Sequence, residues 1–164
     1  MGDSGNKIRL ILMRHGEAAA SGNQGGDRER HLTESGKRVV DGVGKRLQKS
    51  GWVPDQIISS ASVRTQETVR IIQSSMGLEL HPVFSEGLYL GGIDQLIAES
   101  QHISLDCKTL LCVGHNPGFS DAVFVLSRQV VGLSPAGVAL MDSSTTSWVE
   151  ALCNANSWRL IENF

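Results

Sequence analysis

The stretch Ile8-Arg9-Leu10-Ile11-Leu12-Met13-Arg14-His15-Gly16-Glu17 decides how this chain is read. Its first six residues are apolar except for Arg9, a run short enough for a strand buried in the middle of a sheet. The four that follow set an imidazole beside a guanidinium where that strand ends. In α/β folds the carboxyl ends of parallel strands open onto the crevice that binds ligands. A histidine there is placed to attack phosphorus or to coordinate an anion. Alone, a histidine after a strand is as readily an ordinary loop residue, so its meaning depends on what else reaches the same edge.

Working outward, short apolar runs alternate with amphipathic segments in the order β-α-β-α-β-α-β-α-β-β, the pattern of an α/β fold with a mostly parallel sheet. The expected architecture is a three-layer α/β/α sandwich with an antiparallel edge. The first strand covers residues 7–13, and a polar loop over residues 18–31 leads to Thr33, a suitable N-cap. Val39, Val40, Val43 and Leu47 then recur at helical spacing and are expected to face the sheet. Ile57-Ile58-Ser59-Ser60 reads as a second strand, and Ser62 as the cap of a helix burying Val69, Ile72 and Met76 and ending near Gly77. A third strand over residues 82–84 leads to a helix carrying Ile93, Leu96 and Ile97. The fourth strand, Thr109-Leu110-Leu111-Cys112-Val113, runs into Gly114-His115-Asn116-Pro117-Gly118 and a helix whose buried face is Phe119, Ala122, Val123 and Leu126. Residues 137–141 and 158–161 read as a closing hairpin, with Ser143-Ser144-Thr145-Thr146 in the connection.

Composition narrows the classes. A length of 164 residues suits one domain spanning 1–164 and is enough to bury a core. Fifteen basic against seventeen acidic residues, with no basic block, argue against nucleic-acid binding. No apolar run approaches the roughly 18 residues that span a bilayer, so no membrane partner is expected. The start Met1-Gly2-Asp3-Ser4-Gly5-Asn6 lacks the basic and apolar segments of a signal peptide, which makes cytoplasmic residence the expectation. Cys107, Cys112 and Cys153 have no metal-ligand spacing, and Cys112 sits in an apolar run as a small hydrophobe. Gly42-Val43-Gly44 falls inside a helix and is no nucleotide loop, while His31, His81 and His102 lack spaced ligand partners.

The chemistry-bearing residues gather at strand ends. The first and fourth strands both run into a histidine, in Met13-Arg14-His15 and Val113-Gly114-His115. As parallel neighbours they would present both imidazoles at one edge. The second strand stops just before Ser62-Val63-Arg64-Thr65-Gln66, which brings Arg64 there at the start of a helix. Guanidinium groups present donors in a fixed fork matched to phosphate oxygens, and a helix N-terminus adds positive potential. A phosphoryl group is the expected ligand.

With these pieces assembled, the chain resembles the histidine phosphatase superfamily, whose members share an Arg-His-Gly motif and a phosphoglycerate mutase-like fold. The segments Asp27-Arg28-Glu29-Arg30-His31-Leu32-Thr33, Ser62-Val63-Arg64-Thr65-Gln66-Glu67-Thr68 and Val113-Gly114-His115-Asn116-Pro117 are similar to the short branch of phosphohistidine phosphatases called SixA. The resemblance implies His15 as nucleophile, with Arg14, Arg64 and His115 holding the phosphate, His115 in its charged form. It implies neither metal nor cofactor. Glu86, in Ser85-Glu86-Gly87-Leu88-Tyr89, is the counterpart of the Glu that protonates the leaving group in larger members, ahead of Asp94 and Glu17. Asp27 and Arg30 are expected to pair and shape the nearby loop. The implied substrate is a phosphorylated protein carrying phosphohistidine. Two alternatives stand beside it: a phosphatase or mutase of small phosphate esters, and a noncatalytic phosphoryl-binding module. The mutase branch usually carries Ser and Asn where this chain has Ala18 and Ser21, and long insertions that it lacks, so an open site is expected.

Overall fold

The computed structural model describes residues 7–21 and 25–164; the N-terminal segment read above for a signal peptide, residues 1–6, lies outside the described residues. A six-stranded sheet in the order β3-β2-β4-β1-β5-β6 forms the middle layer. Its strands are β1 (Ile8–Arg14), β2 (Gln56–Ser60), β3 (Val83–Ser85), β4 (Thr109–Gly114), β5 (Val138–Ser143) and β6 (Arg159–Asn163). The first four are mutually parallel, while β5 runs antiparallel to β1 and to β6. The helices are α1 (Glu34–Lys49), α2 (Val63–Met76), α3 (Ile93–Glu99), α4 (Gly118–Ser127) and α5 (Trp148–Cys153).

Alternation along β1 divides the core. Ile8, Leu10 and Leu12 point to the face covered by α3, α4 and α5, where Leu96, Phe119, Val123, Trp148 and Leu152 pack. Ile11 and Met13 point to the opposite face, against Val40 and Leu47 of α1 and Val69, Ile72 and Met76 of α2. Each such side chain, when fully buried, contributes about 1.5–3 kcal/mol relative to exposure. The three-layer arrangement thus follows from strands apolar on both faces.

Several local expectations hold. Thr33 caps α1 by accepting from the Gly36 amide at 2.9 Å, and Gly77 ends α2 in the left-handed conformation at φ 64°. Ser62 precedes α2, but its hydroxyl turns to Thr65 and makes no side-chain cap.

Two expectations need correction. Val39 is 54% exposed, because the buried face of α1 is Gly36, Val40, Gly44 and Leu47, and Val39 lies about 100° round the helix from Val40. Gly44 belongs to that face for a steric reason: a Cβ there would lie 1.9 Å from Ser75 Oγ of α2. Second, β5 and β6 do pair antiparallel at the edge, but their connection contains the unanticipated helix α5, capped by Ser147. Its Trp148 indole donates to the Cys107 carbonyl at 2.9 Å, and Trp148 and Trp158 sit with ring centroids 5.8 Å apart.

Register delivers the site. Met13 pairs with Val113 and Arg14 with Gly114 across β1 and β4, while Ser59 of β2 stands beside Val113. His15, His115 and Ser60 therefore leave three adjacent strands at the same carboxyl edge.

Candidate active site

His15 and His115 face each other edge-on, with ring centroids 5.3 Å apart at 60°. Arg64, from the first turn of α2, bridges them. Its Nε donates to His15 Nε2 at 3.2 Å and its Nη2 to His115 Nδ1 at 3.3 Å. All three are recessed: His15 is 8% exposed, Arg64 2% and His115 1%.

Hydrogen-bond partners assign the tautomers. The Gly16 carbonyl only accepts, so the proton of neutral His15 sits on Nδ1, which donates to it at 2.7 Å. Arg64 only donates, so His15 Nε2 carries the lone pair. His115 has the opposite arrangement: Nδ1 accepts from Arg64, and Nε2 donates to Ser60 Oγ at 2.8 Å.

Both rings are held neutral near pH 7. Burial first, then the charges of Arg64 and Arg14, pull His15 down to about 4, against the opposing effect of the Gly16 carbonyl. Burial, then Arg64 and His15, pull His115 down to about 3, with Asp27 partly opposing. Beside a buried guanidinium, a second cation at this depth is disfavoured, whereas the charged His115 expected from the sequence is that of the phosphate-bound site.

The backbone around His15 is equally constrained. The Gly16 amide donates to Thr68 Oγ1 at 3.1 Å, and the Thr68 hydroxyl donates to the Arg64 carbonyl at 2.7 Å, tying the end of β1 to α2. A Cβ on Gly16 would come within 2.6 Å of Val40 Cγ2, so a glycine lets α1 approach. Arg14 is anchored by its Nη1, which donates to the Leu133 carbonyl at 3.1 Å. That carbonyl also takes Asn116 Nδ2 at 2.7 Å. Arg14 Nε is buried with no hydrogen-bond partner among the described residues, a free donor of the kind an oxyanion satisfies.

A rim closes the site on its outer side. Asp27, at the start of a 3-10 turn (Asp27–Glu29), accepts Arg64 Nη2 on its carboxylate at 2.9 Å and Arg64 Nη1 on its carbonyl at 2.6 Å. Tyr89 donates its hydroxyl to the same carboxylate, and its ring meets His115 edge-on at 5.4 Å. Arg28 lies over the Tyr89 ring at 4.2 Å and pairs with Glu86. Among the described residues Glu86 makes no hydrogen bond to His15, Arg14, Arg64 or His115; its carboxylate is 69% exposed and bound to Arg28. Glu17 turns toward the start of α1, where its carboxylate accepts from Thr33 Oγ1 at 2.8 Å and from Ser35 Oγ at 3.2 Å, and Asp94 is exposed on α3. No three His, Cys, Asp or Glu side chains cluster to hold a metal ion among the described residues.

Comparison with known proteins bears on the family and the fold. Residues 10–88, from β1 to the segment before Tyr89, match the family described as the histidine phosphatase superfamily (branch 1). An uncharacterized chloroplastic protein of Arabidopsis thaliana is 31% identical across 93% of this chain and 75% of its own length. The chain belongs to the histidine phosphatase superfamily. A serine/threonine-protein phosphatase of Drosophila melanogaster, the mitochondrial Pgam5, is 39% identical over 74 residues, 45% of this chain and 25% of that protein.

Among solved structures, this histidine phosphatase fold is similar to the protein histidine phosphatase SixA in complex with tungstate, with a TM-score of 0.81, 16% identity and 96% of both chains covered. It is similar too to an Agrobacterium tumefaciens protein provisionally assigned as the phosphohistidine phosphatase SixA, with a TM-score of 0.79, 21% identity and coverage of 96% and 97%.

Three participants escaped the sequence reading of this superfamily member. Ser60 holds His115, and its signal was its place at the end of β2, one strand from β4. Tyr89 was noted only as a neighbour of Glu86. Asp27 was expected to pair with Arg30, which it does at 3.0 Å, but its contact with Arg64 joins residues 37 positions apart and carries no local signature.

Proposed function

We propose that this chain is a phosphatase that passes a phosphoryl group from substrate to His15 Nε2 and then to water, with phosphohistidine in a protein as the substrate. One observation carries the reading: the lone pair of a neutral, buried His15 Nε2 faces a guanidinium and a second imidazole, while its Nδ1–H is tied back to Gly16. Nε2 attacks phosphorus as the bond from phosphorus to the leaving group breaks. Water then attacks the same phosphorus, the P–Nε2 bond breaks, and phosphate departs. Arg64, Arg14 through its free Nε, and His115 hold the equatorial oxygens. Bound phosphate, being anionic, draws His115 toward its charged form.

The protein substrate is supported by the small size of the domain and by the likeness of its fold to SixA proteins over nearly the whole chain. An imidazole leaving group departs without strong acid assistance, whereas an alkoxide does not. We assign Glu86 as the proton donor for ester substrates, acting from the rim after exchanging its bond to Arg28. The recessed histidines favour a second reading, small phosphate esters, since a slender group reaches a buried imidazole most easily. A cytoplasmic location belongs to the same proposal. Among the described residues no helix is long and apolar enough to cross a membrane. Cell fractionation checks the location, and recovery with plastids overturns it.

The deciding experiment offers a phosphohistidine-bearing protein domain, a phosphoserine peptide and p-nitrophenyl phosphate to the wild type and to His15→Ala. Fastest phosphate release from phosphohistidine, with an alkali-stable phosphoenzyme absent in His15→Ala, is expected. Preference for an ester overturns the substrate class. Phosphate binding without turnover on any substrate leaves a binding module.

A further inference from the structure

Arg64 is a buried cation whose two inner partners, His15 and His115, are both held neutral. Neither offsets its charge. A guanidinium on a long, flexible stem in such surroundings is costly to keep and free to choose among rotamers. The compensation comes from outside. Asp27 grips both terminal nitrogens, Nη1 through its carbonyl at 2.6 Å and Nη2 through its carboxylate at 2.9 Å, and this two-point hold fixes the plane of the fork. With that plane fixed, Nε is left directed at His15 Nε2 and the other Nη2 hydrogen at His115 Nδ1. Asp27 is itself held on both oxygens, by Arg30 Nη1 at 3.0 Å and by the Tyr89 hydroxyl. The Tyr89 bond, ahead of Arg30 and Arg64, keeps the carboxyl well below the usual carboxylate range, so it is charged near neutral pH. The chain of contacts closes on the site again, because the Tyr89 ring abuts His115.

We infer that Asp27 is a positioning residue of the phosphoryl-transfer site, acting through Arg64 to aim its donors at both imidazoles, with Tyr89 fixing Asp27 and the His115 ring together. This rests on the reading of the site as a phosphatase and goes beyond it by giving the 3-10 turn a part in catalysis. A purely structural carboxylate would stabilise the turn and leave the imidazoles as they are. A competing carboxylate would do the reverse of positioning: it would block the guanidinium against phosphate.

The test uses the full chain as wild type, Asp27→Ala, Asp27→Asn and Tyr89→Phe, with kinetics on the phosphohistidine domain, phosphate titration and imidazole nitrogen NMR. In the wild type His15 shows a single Nδ1–H tautomer and His115 a single Nε2–H tautomer. Asp27→Ala is expected to lower kcat/KM about 100-fold and to mix both tautomers, since misplacement of a reacting group by about 1 Å costs on that order. Asp27→Asn, which keeps an acceptor for Arg64, is expected to lose about tenfold, and Tyr89→Phe less. If Asp27→Ala fails to fold, Asp27→Asn and Tyr89→Phe carry the test. Activity within threefold of wild type with unchanged tautomers overturns the inference. So does tighter phosphate binding with raised kcat/KM in Asp27→Asn, which would make Asp27 a competitor. An inactive wild type sinks the phosphatase reading alone, and the tautomers still decide the positioning.

Discussion

The strand-end group of His15, Arg64 and His115 and the rim group of Arg28, Glu86 and Tyr89 lie on the same site yet are held by different means. The first is placed by sheet register and by the first turn of α2, almost entirely out of water. The second hangs on side-chain contacts between two loops, with Arg28 and Glu86 44% and 69% exposed. Register leaves an imidazole little freedom, and burial shifts its protonation by units. An exposed ion pair contributes about 0–1 kcal/mol and exchanges partners easily. On the proposed mechanism, chemistry that needs a fixed lone pair belongs to the first group, and adjustment to different leaving groups to the second. Asp27 belongs to both, with its carboxylate half in solvent and its bonds reaching the buried guanidinium.

The contrast is most strongly challenged at His15. His15→Ala should reduce turnover by about 10⁴-fold or more and prevent trapping of a phosphoenzyme, measured by single-turnover phosphate release. Full turnover in that variant would remove the strand-end group from the chemistry. Next in size, Arg64→Ala should lower kcat/KM by about 10²–10³-fold, and Arg64→Lys should recover little, because a point charge cannot span both imidazoles and the Asp27 pair. Restoration to wild-type rates by lysine would show that charge alone suffices.

Stability against pH probes the same group without any substrate. Both histidines have folded values below their ordinary 6.5, at about 4 for His15 and about 3 for His115, so the unfolded chain binds protons first as pH falls. Their contribution is complete above about pH 6.5 and is lost progressively as pH drops toward 4 and then 3. For His15 the loss is up to about 3 kcal/mol at roughly 1.4 kcal/mol per unit. Thermal melts from pH 7.5 to 4 should therefore decline, and less steeply in His115→Asn. An equal decline in that variant would place the titration elsewhere.

At the rim the effects shrink. Glu86→Gln should slow an ester substrate by about tenfold while leaving phosphohistidine within about twofold. Equal losses on both would deny the substrate-dependent role. Val39→Ala, on the exposed side of α1, should change stability by less than about 0.5 kcal/mol by denaturant unfolding. A larger loss would mean that this side is covered.

Much of this was legible because parallel strands carry strong local signals. The runs before His15 and His115 are apolar on both faces, and the rule that ligands bind at the carboxyl ends of such strands needs no tertiary information. Arg64 was found by its place at the start of a helix that follows a strand. The helix α5 was missed because six residues after a serine-rich turn show too little periodicity to separate from a hairpin connection. Val39 was misplaced because a cluster of valines marks a helix without saying which of two adjacent residues faces in. The buried face was marked instead by Gly36 and Gly44, whose lack of side chains lets neighbouring segments approach.

By itself the sequence determined the layers, the succession of the strands and of the first four helices, and the residue types that meet at one edge, since hydrophobic periodicity and turn residues act over a few positions. Only the tertiary structure decided which nitrogen of His15 carries the lone pair and that His115 rests neutral. It likewise decided that Arg14 leans on the Leu133 carbonyl, 119 positions away, and that Asp27 holds Arg64. Those outcomes depend on burial and on partners brought together by folding, and neither exists along an extended chain.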